Sequence, residues 1–125
     1  MESKLVSFEL TDKYLLVIGH GSRDNFASMV AASEIIFAKV EETKTQRLLV
    51  DYRKLQINVR MGDAFNIVKR YEAAKPQFKD MVTAAVFDSN GMEFGRYWQE
   101  VSRQRGFIIE IFDDFDEAER WLKKT

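Results

Sequence analysis

The chain has 125 residues, and its 19 Lys and Arg residues nearly balance its 20 Asp and Glu residues, for a formal net charge of −1. This length predicts one domain, residues 1–125, and the balanced charge argues against a nucleic-acid partner. The absence of cysteine excludes disulfides and Cys-based metal or nucleophilic sites. No apolar run reaches the roughly 20 residues of a membrane span, and the first residues lack the build of a signal peptide. We therefore expect a cytoplasmic protein.

The first part of the chain predicts a hairpin followed by a helix. Residues 4–10 alternate apolar and polar, and residues 14–18 form an unbroken apolar run, as expected for two paired strands. Residues 19–21 interrupt the pattern, and Ser22 is predicted to cap a helix that continues to about residue 43. Ser33 alone interrupts the apolar stripe of that helix.

The rest of the chain alternates strand and helix. Three further strands are predicted at residues 47–52, 81–87 and 107–112. Each precedes a helix, with caps predicted at Asn58, at Asn90 with Glu93, and at Asp114 with Glu117, and with ends at Pro76 and Gly106. The predicted order is ββαβαβαβα, an α/β fold with a mostly parallel five-stranded sheet, an N-terminal antiparallel hairpin strand and four helices.

This order resembles the STAS-like fold of sporulation anti-sigma factor antagonists, and in particular the SpoIIAA-like branch of small bacterial proteins. Residues 107–122 carry the resemblance most clearly, with a strand, an acidic cap, an Asp-Glu-Ala segment and a Trp-Leu pair. The resemblance implies a non-enzymatic regulatory module that binds a protein partner. In regulatory members, a Ser or Thr at the helix after the third strand is phosphorylated and the partner is released. No hydroxyl residue lies between Arg53 and Gly62, so we expect the switch to be absent and take Asn58 and Arg60 as candidate interface residues.

The third helix carries an aromatic stripe that includes Tyr97 and Trp98. Packing in the core is the default for such a stripe. Adjacent residues cannot both point the same way, so the alternative is that one of the two lies at the surface and anchors a protein partner or a homodimer.

Residues 15–24 resemble the first motif of the small cobalt chelatases of tetrapyrrole synthesis, where the His of a Gly-His-Gly-Ser segment binds metal. This hypothesis makes the chain an enzyme built around His20, but such a site uses a second His and this chain has one. Alternatively, His20, Gly21, Ser22 and Arg23 bind an anion at the start of the helix. They also fit a plain strand-to-helix turn.

We expect no cofactor, no metal and no catalytic residues, because no base, nucleophile and oxyanion donor are placed together by the sequence. The acidic residues Asp113, Asp114 and Asp116 are interpreted as helix-capping residues rather than a cation site. The fold also resembles that of lipid-carrying domains, so a small anionic or apolar ligand is the second functional hypothesis. It predicts a closed pocket at residues 19–26 and 53–60.

Overall fold

The structure, a computed structural model, describes residues 5–125, so the first residue of the strand predicted at 4–10 lies outside the described residues. The strands are β1 (Val6–Leu10), β2 (Leu15–Gly19), β3 (Ser22–Arg23), β4 (Arg47–Asp51), β5 (Gln56–Ile57), β6 (Val82–Val86) and β7 (Ile108–Phe112). The helices are α1 (Phe26–Thr43), α2 (Met61–Ala74), α3 (Met92–Gln104) and α4 (Phe115–Lys124), and a 3-10 helix spans Pro76–Asp80.

Five strands form the main sheet in the order β1-β2-β4-β6-β7. β1 pairs antiparallel with β2, and the other neighbours pair in parallel. The register aligns Val17 with Val50, and Val50 in turn with Ala85. This arrangement confirms the predicted mostly parallel five-stranded sheet with an N-terminal antiparallel hairpin.

Helices cover both faces of the sheet. Val17, Val50 and Ala85 point to the core shared with α1, α2 and α3. Leu49 and Ala84, one position along β4 and β6, point to the opposite core under α4. Because successive strand residues face opposite sides and both sides are covered, the central residues of these strands are mostly apolar.

The predicted cap of α1 at Ser22 is wrong. Asn25 caps this helix, with its side-chain oxygen accepting a hydrogen bond from the Ser28 N–H at 2.9 Å. Ser22 instead belongs to β3, which pairs in parallel with β5 as a second, two-stranded sheet. The Gln56 N–H donates to the Gly21 carbonyl at 3.0 Å. This pairing holds residue 22 extended and delays the start of the helix.

The predicted cap of α2 at Asn58 is also wrong. The helix begins at Met61, and the Asp63 carboxylate accepts from the Arg60 N–H at 3.2 Å. The Asn58 side chain donates to the Asp24 carboxylate at 2.8 Å. Asn58 therefore ties β5 to the segment before α1 instead of opening α2.

The predicted capping box at the start of α3 does not form. The helix begins at Met92 after Gly91, and no side chain of the preceding turn caps it. One carboxylate oxygen of Asp88 accepts from the N–H groups of both Asn90 (3.0 Å) and Gly91 (3.1 Å). The Asp88 side chain therefore stabilises the turn before α3, where Asn90 was predicted to act as the helix cap.

Other predicted helix ends are confirmed. The Asp114 carboxylate accepts from the Glu117 N–H at 3.1 Å and caps α4. Gly106, at φ +90°, follows α3 in a backbone conformation that glycine adopts without strain. Pro76 begins the 3-10 helix just after α2 ends.

Candidate ligand-binding cavities

Two adjoining cavities, of about 90 and about 70 Å³, lie between the main sheet and helices α1, α2 and α3. They share four lining residues, here called the shared wall: Ser33, Tyr52, Tyr71 and Trp98. A water molecule requires roughly 10–15 Å³ of such space. Each cavity therefore has room for several waters or for part of a small ligand.

The larger cavity is mainly apolar and aromatic. Its lining includes Phe37, Phe78, Phe107 and Met81. One end includes Ile108 on the edge strand β7, which is 43% exposed. The cavity therefore extends to that edge strand of the sheet.

The smaller cavity lies near the carboxyl ends of β2 and β4. Its lining includes Arg23 from the segment before α1, and Leu55 and Ile57 from the segment after β4. These positions fall within residues 19–26 and 53–60, where a small ligand was predicted to bind. Phe94 of α3 lines the cavity from the helix layer.

Tyr52 contributes a hydroxyl group to the shared wall. A Cβ atom on Gly19 would lie 2.6 Å from Tyr52 Cδ1, so the ring packs where a side chain at position 19 would be. The ring meets Phe87 edge-on at a centroid distance of 5.8 Å. The hydroxyl donates no hydrogen bond to any residue between 5 and 125, and burial raises its pKa. It is therefore a neutral donor available inside the cavities.

Arg23 contributes a buried positive charge to the smaller cavity. Its side chain is 4% exposed and donates to the carbonyls of His20 (3.1 Å), Ser22 (3.3 Å) and Leu5 (2.9 Å). Within the described part of the chain, no carboxylate pairs with it. Burial lowers the pKa of Arg23, although a guanidinium stays protonated in proteins.

A hydrogen-bond network holds two residues of the shared wall, Tyr71 and Trp98. Trp98 Nε1 donates to the Tyr71 hydroxyl oxygen at 2.8 Å, and Tyr71 Oη lies 3.4 Å from Ser102 Oγ. Burial raises the pKa of Tyr71 to about 12. The network links α2 to α3 and fixes the orientation of the Trp98 ring.

The four candidate partner-interface residues lie in different settings. Trp98 is half-buried in the shared wall, and Tyr97 is half-buried and packs against the same core. Asn58 and Arg60 are exposed. Neither aromatic residue is strongly exposed, and binding of a protein partner at these positions stays a prediction.

Of the four residues His20, Gly21, Ser22 and Arg23, only Arg23 lines a cavity. His20 is exposed, and its Nε2 lies 2.7 Å from the hydroxyl oxygen of Ser7 on β1. Gly21 adopts φ +74°, and the Ser22 hydroxyl donates to Asp24 at 2.8 Å. Among residues 5–125, no group of three His, Asp or Glu side chains is placed to hold a metal ion.

The residues of the shared wall other than Trp98 were not predicted as site residues. Ser33 did carry a signal, because it is the one polar residue in the apolar stripe of α1. Tyr52 lies just after β4, at the end of parallel strands where ligands bind in open α/β sheets. Tyr71 carried no signal, because an aromatic residue on the buried face of a helix is usual.

Comparison with known proteins identifies the fold. No family model matches the chain, and no curated protein matches it. A solved structure does: an uncharacterised protein of the DUF3478 family from Shewanella loihica PV-4, with a SpoIIAA-like fold. The TM-score is 0.58 at 18% sequence identity, and the match covers 98% of both chains.

The chain therefore has the SpoIIAA-like form of the STAS-like α/β fold, as predicted from the order of its elements. At 18% sequence identity this likeness shows the fold alone. No helix within the described residues combines the length and apolar character that crossing a membrane requires.

Proposed function

We propose that this STAS-like protein is a non-enzymatic binding module whose occupant is a small, mainly apolar molecule. The supporting observation is the pair of adjoining cavities between the sheet and α1–α3, joined at the shared wall. Protein interiors are close-packed and contain few voids larger than a water molecule. A cavity with mainly apolar walls can bind an apolar guest.

The size of the cavities limits the occupant. An apolar cavity of about 150 Å³ is known to hold benzene, and the two spaces here are about 90 and 70 Å³. Neither space alone reaches that size, but the two together match one aromatic ring that lies across the shared wall. A lipid with two long acyl chains is too large for these cavities. The proposed apolar ligand is therefore a small molecule.

The chemistry of the lining supports binding over catalysis. Its hydroxyl groups belong to Ser33, Tyr52, Tyr71 and Thr83, and no histidine or carboxylate accompanies them in either lining. A hydroxyl without an adjacent general base is a weak nucleophile at neutral pH. The His20 contact with Ser7 lies outside both cavities.

Recognition of a protein partner is the second candidate function, and it is compatible with ligand binding. Trp98 lines both cavities, and Tyr97 is its neighbour on α3. A ligand that contacts Trp98 shifts α3 from one orientation to another only if it binds one of these orientations more tightly than the other. A change in the orientation of α3 would also move the predicted interface residue Tyr97, so that a protein partner would bind differently when the cavities hold a ligand.

A cavity-filling substitution tests the proposed function. Ser33→Leu places apolar atoms in both cavities, whereas Ala31→Leu adds a leucine on the exposed face of the same helix. Toluene is the test ligand, and thermal unfolding is followed with and without it. A ligand that binds only the folded state stabilises it by about 2.7 kcal/mol at one hundred times its dissociation constant.

We expect toluene to raise the unfolding temperature of the wild type and of Ala31→Leu, but not of Ser33→Leu. No rise in the wild type, or an equal rise in Ser33→Leu, contradicts the proposal. If Ser33→Leu fails to fold, the wild-type measurement still decides whether an apolar guest binds.

A further inference from the structure

We propose that the ligand is a small monocarboxylic acid whose apolar body extends across the shared wall into the larger cavity and whose carboxylate meets Arg23 and Tyr52. This inference rests on the proposed function and adds the chemical class of the ligand. It starts from two polar groups in the smaller cavity whose hydrogen-bonding capacity is incompletely used.

The first group is the Arg23 guanidinium. A buried charge is costly unless it is paired, and the known partners of Arg23 are backbone carbonyls, which carry no net charge. A guanidinium has five N–H donors, and the Nε–H of Arg23 donates to none of the residues that the structure describes. An anion in the cavity would neutralise this charge and accept the remaining hydrogen bonds.

The second group is the Tyr52 hydroxyl. It lines both cavities, and the positive charge of Arg23 acts on it in opposition to the effect of burial. A hydroxyl donor beside a guanidinium offers a carboxylate two charge-assisted hydrogen bonds from different directions. Ser33, also in the shared wall, lines both cavities and carries a further hydroxyl group.

The surroundings favour an anion with a single charge. Met29, Leu55, Ile57 and Phe94 form most of the remaining lining of the smaller cavity, and apolar walls penalise a second negative charge that lacks a cation. The larger cavity is lined by Phe37, Phe78 and Phe107. A carboxylate joined to an aromatic or aliphatic body matches the charged group in the smaller cavity and the apolar walls of the larger one. A phosphate dianion would leave one of its two negative charges without a cationic partner.

The test compares an acid with the alcohol of the same skeleton. The affinities of 3-phenylpropanoate and 3-phenylpropan-1-ol are measured by calorimetry at neutral pH. We expect the acid to bind the wild type at least about tenfold more tightly, because hydrogen bonds to charged groups are stronger than neutral ones. Acetate, which has no apolar body, should bind far more weakly than 3-phenylpropanoate.

Two substitutions assign the preference to the proposed residues. Tyr52→Phe keeps the ring and removes the hydroxyl, and we expect the acid-to-alcohol affinity ratio to fall by about threefold or more. Tyr14→Phe is the matched control, because the Tyr14 hydroxyl donates to Glu119 at the opposite face of the sheet, and its ratio should equal that of the wild type. Arg23→Gln removes the charge and should abolish the preference.

Each failure has a distinct meaning. Toluene binding without preference for the acid overturns the carboxylate inference and leaves the proposed function standing. Acetate binding as tight as that of 3-phenylpropanoate identifies a free-anion site and overturns it too. If Arg23→Gln does not fold, an unchanged affinity ratio in Tyr52→Phe is sufficient to refute the inference.

Discussion

The close contact between α3 and the sheet predicts that Gly95→Ala destabilises the protein. Gly95 is buried inside α3, where helix propensity alone favours alanine by about 1 kcal/mol. However, a Cβ atom at this position would lie 2.7 Å from both Cδ2 and Cε2 of Phe87. Propensity and packing therefore predict opposite signs for the same substitution.

The packing around Phe87 determines which effect is larger. Carbon atoms in contact prefer separations of about 3.5–4.0 Å, so the ring or the helix must move by about 0.8 Å. Phe87 is fully buried, and its ring packs edge-on against Tyr52 and Trp98. Overpacking of such a site costs about 1–3 kcal/mol, so we expect a net loss of about 1 kcal/mol in the free energy of unfolding.

Urea denaturation of the two variants Gly95→Ala and Gly62→Ala measures this balance. Gly62 lies in α2 with nothing within 4 Å of an added Cβ atom. Its substitution should stabilise the protein by up to about 1 kcal/mol, with an unchanged dependence on urea concentration. If Gly95→Ala is as stabilising as Gly62→Ala, the proposed contact between α3 and Phe87 is wrong.

Two further predictions concern pH dependence and helix capping. The pKa of Tyr71 is raised from 10.0 to about 12, so the unfolded chain loses this proton first and the free energy of unfolding falls as pH rises across that interval. In Tyr71→Phe this alkaline decline, measured by urea denaturation at a series of pH values, should be smaller by up to about 3 kcal/mol, and an identical decline would refute the assignment. Asp114→Ala removes the cap of α4 and should cost about 1 kcal/mol in the same assay. The control is Asp113→Ala, which changes the exposed neighbour of Asp114. An equal loss of unfolding free energy in the two variants would argue against capping by Asp114.

Local patterns were sufficient to predict the order of the four helices and of the five strands of the main sheet, but not the short strands β3 and β5. The alternation in residues 4–10 arises because strand residues face alternate sides of a sheet. The largely apolar segments 14–18 and 81–87 arise because both sides of the sheet are covered there. The parallel arrangement followed from the helices between the strands, since a helix returns the chain to the same edge of the sheet. The cap at Asp114 was also predictable, because an N-cap bonds to a backbone group three residues away.

The other helix starts depended on contacts that a local pattern does not contain. Ser22, a good cap by composition, is held in β3 by pairing with β5, more than thirty residues further along the chain. Asn58 bonds to Asp24 across the same pairing. A side chain that satisfies one distant partner is not available to cap the helix next to it.

The sequence by itself determined an α/β chain of this order, its apolar strands and the polar interruption at Ser33. Only the tertiary structure brought Ser33, Tyr52 and Tyr71 together from three separate elements and turned Arg23 inward beside them. Arg23 lies in β3, which pairs with β5, and is buried, whereas the sequence predicted it at the start of a helix. The physical reason is that periodicity reports which side of its own element a residue faces, whereas a cavity depends on how separate elements pack against one another.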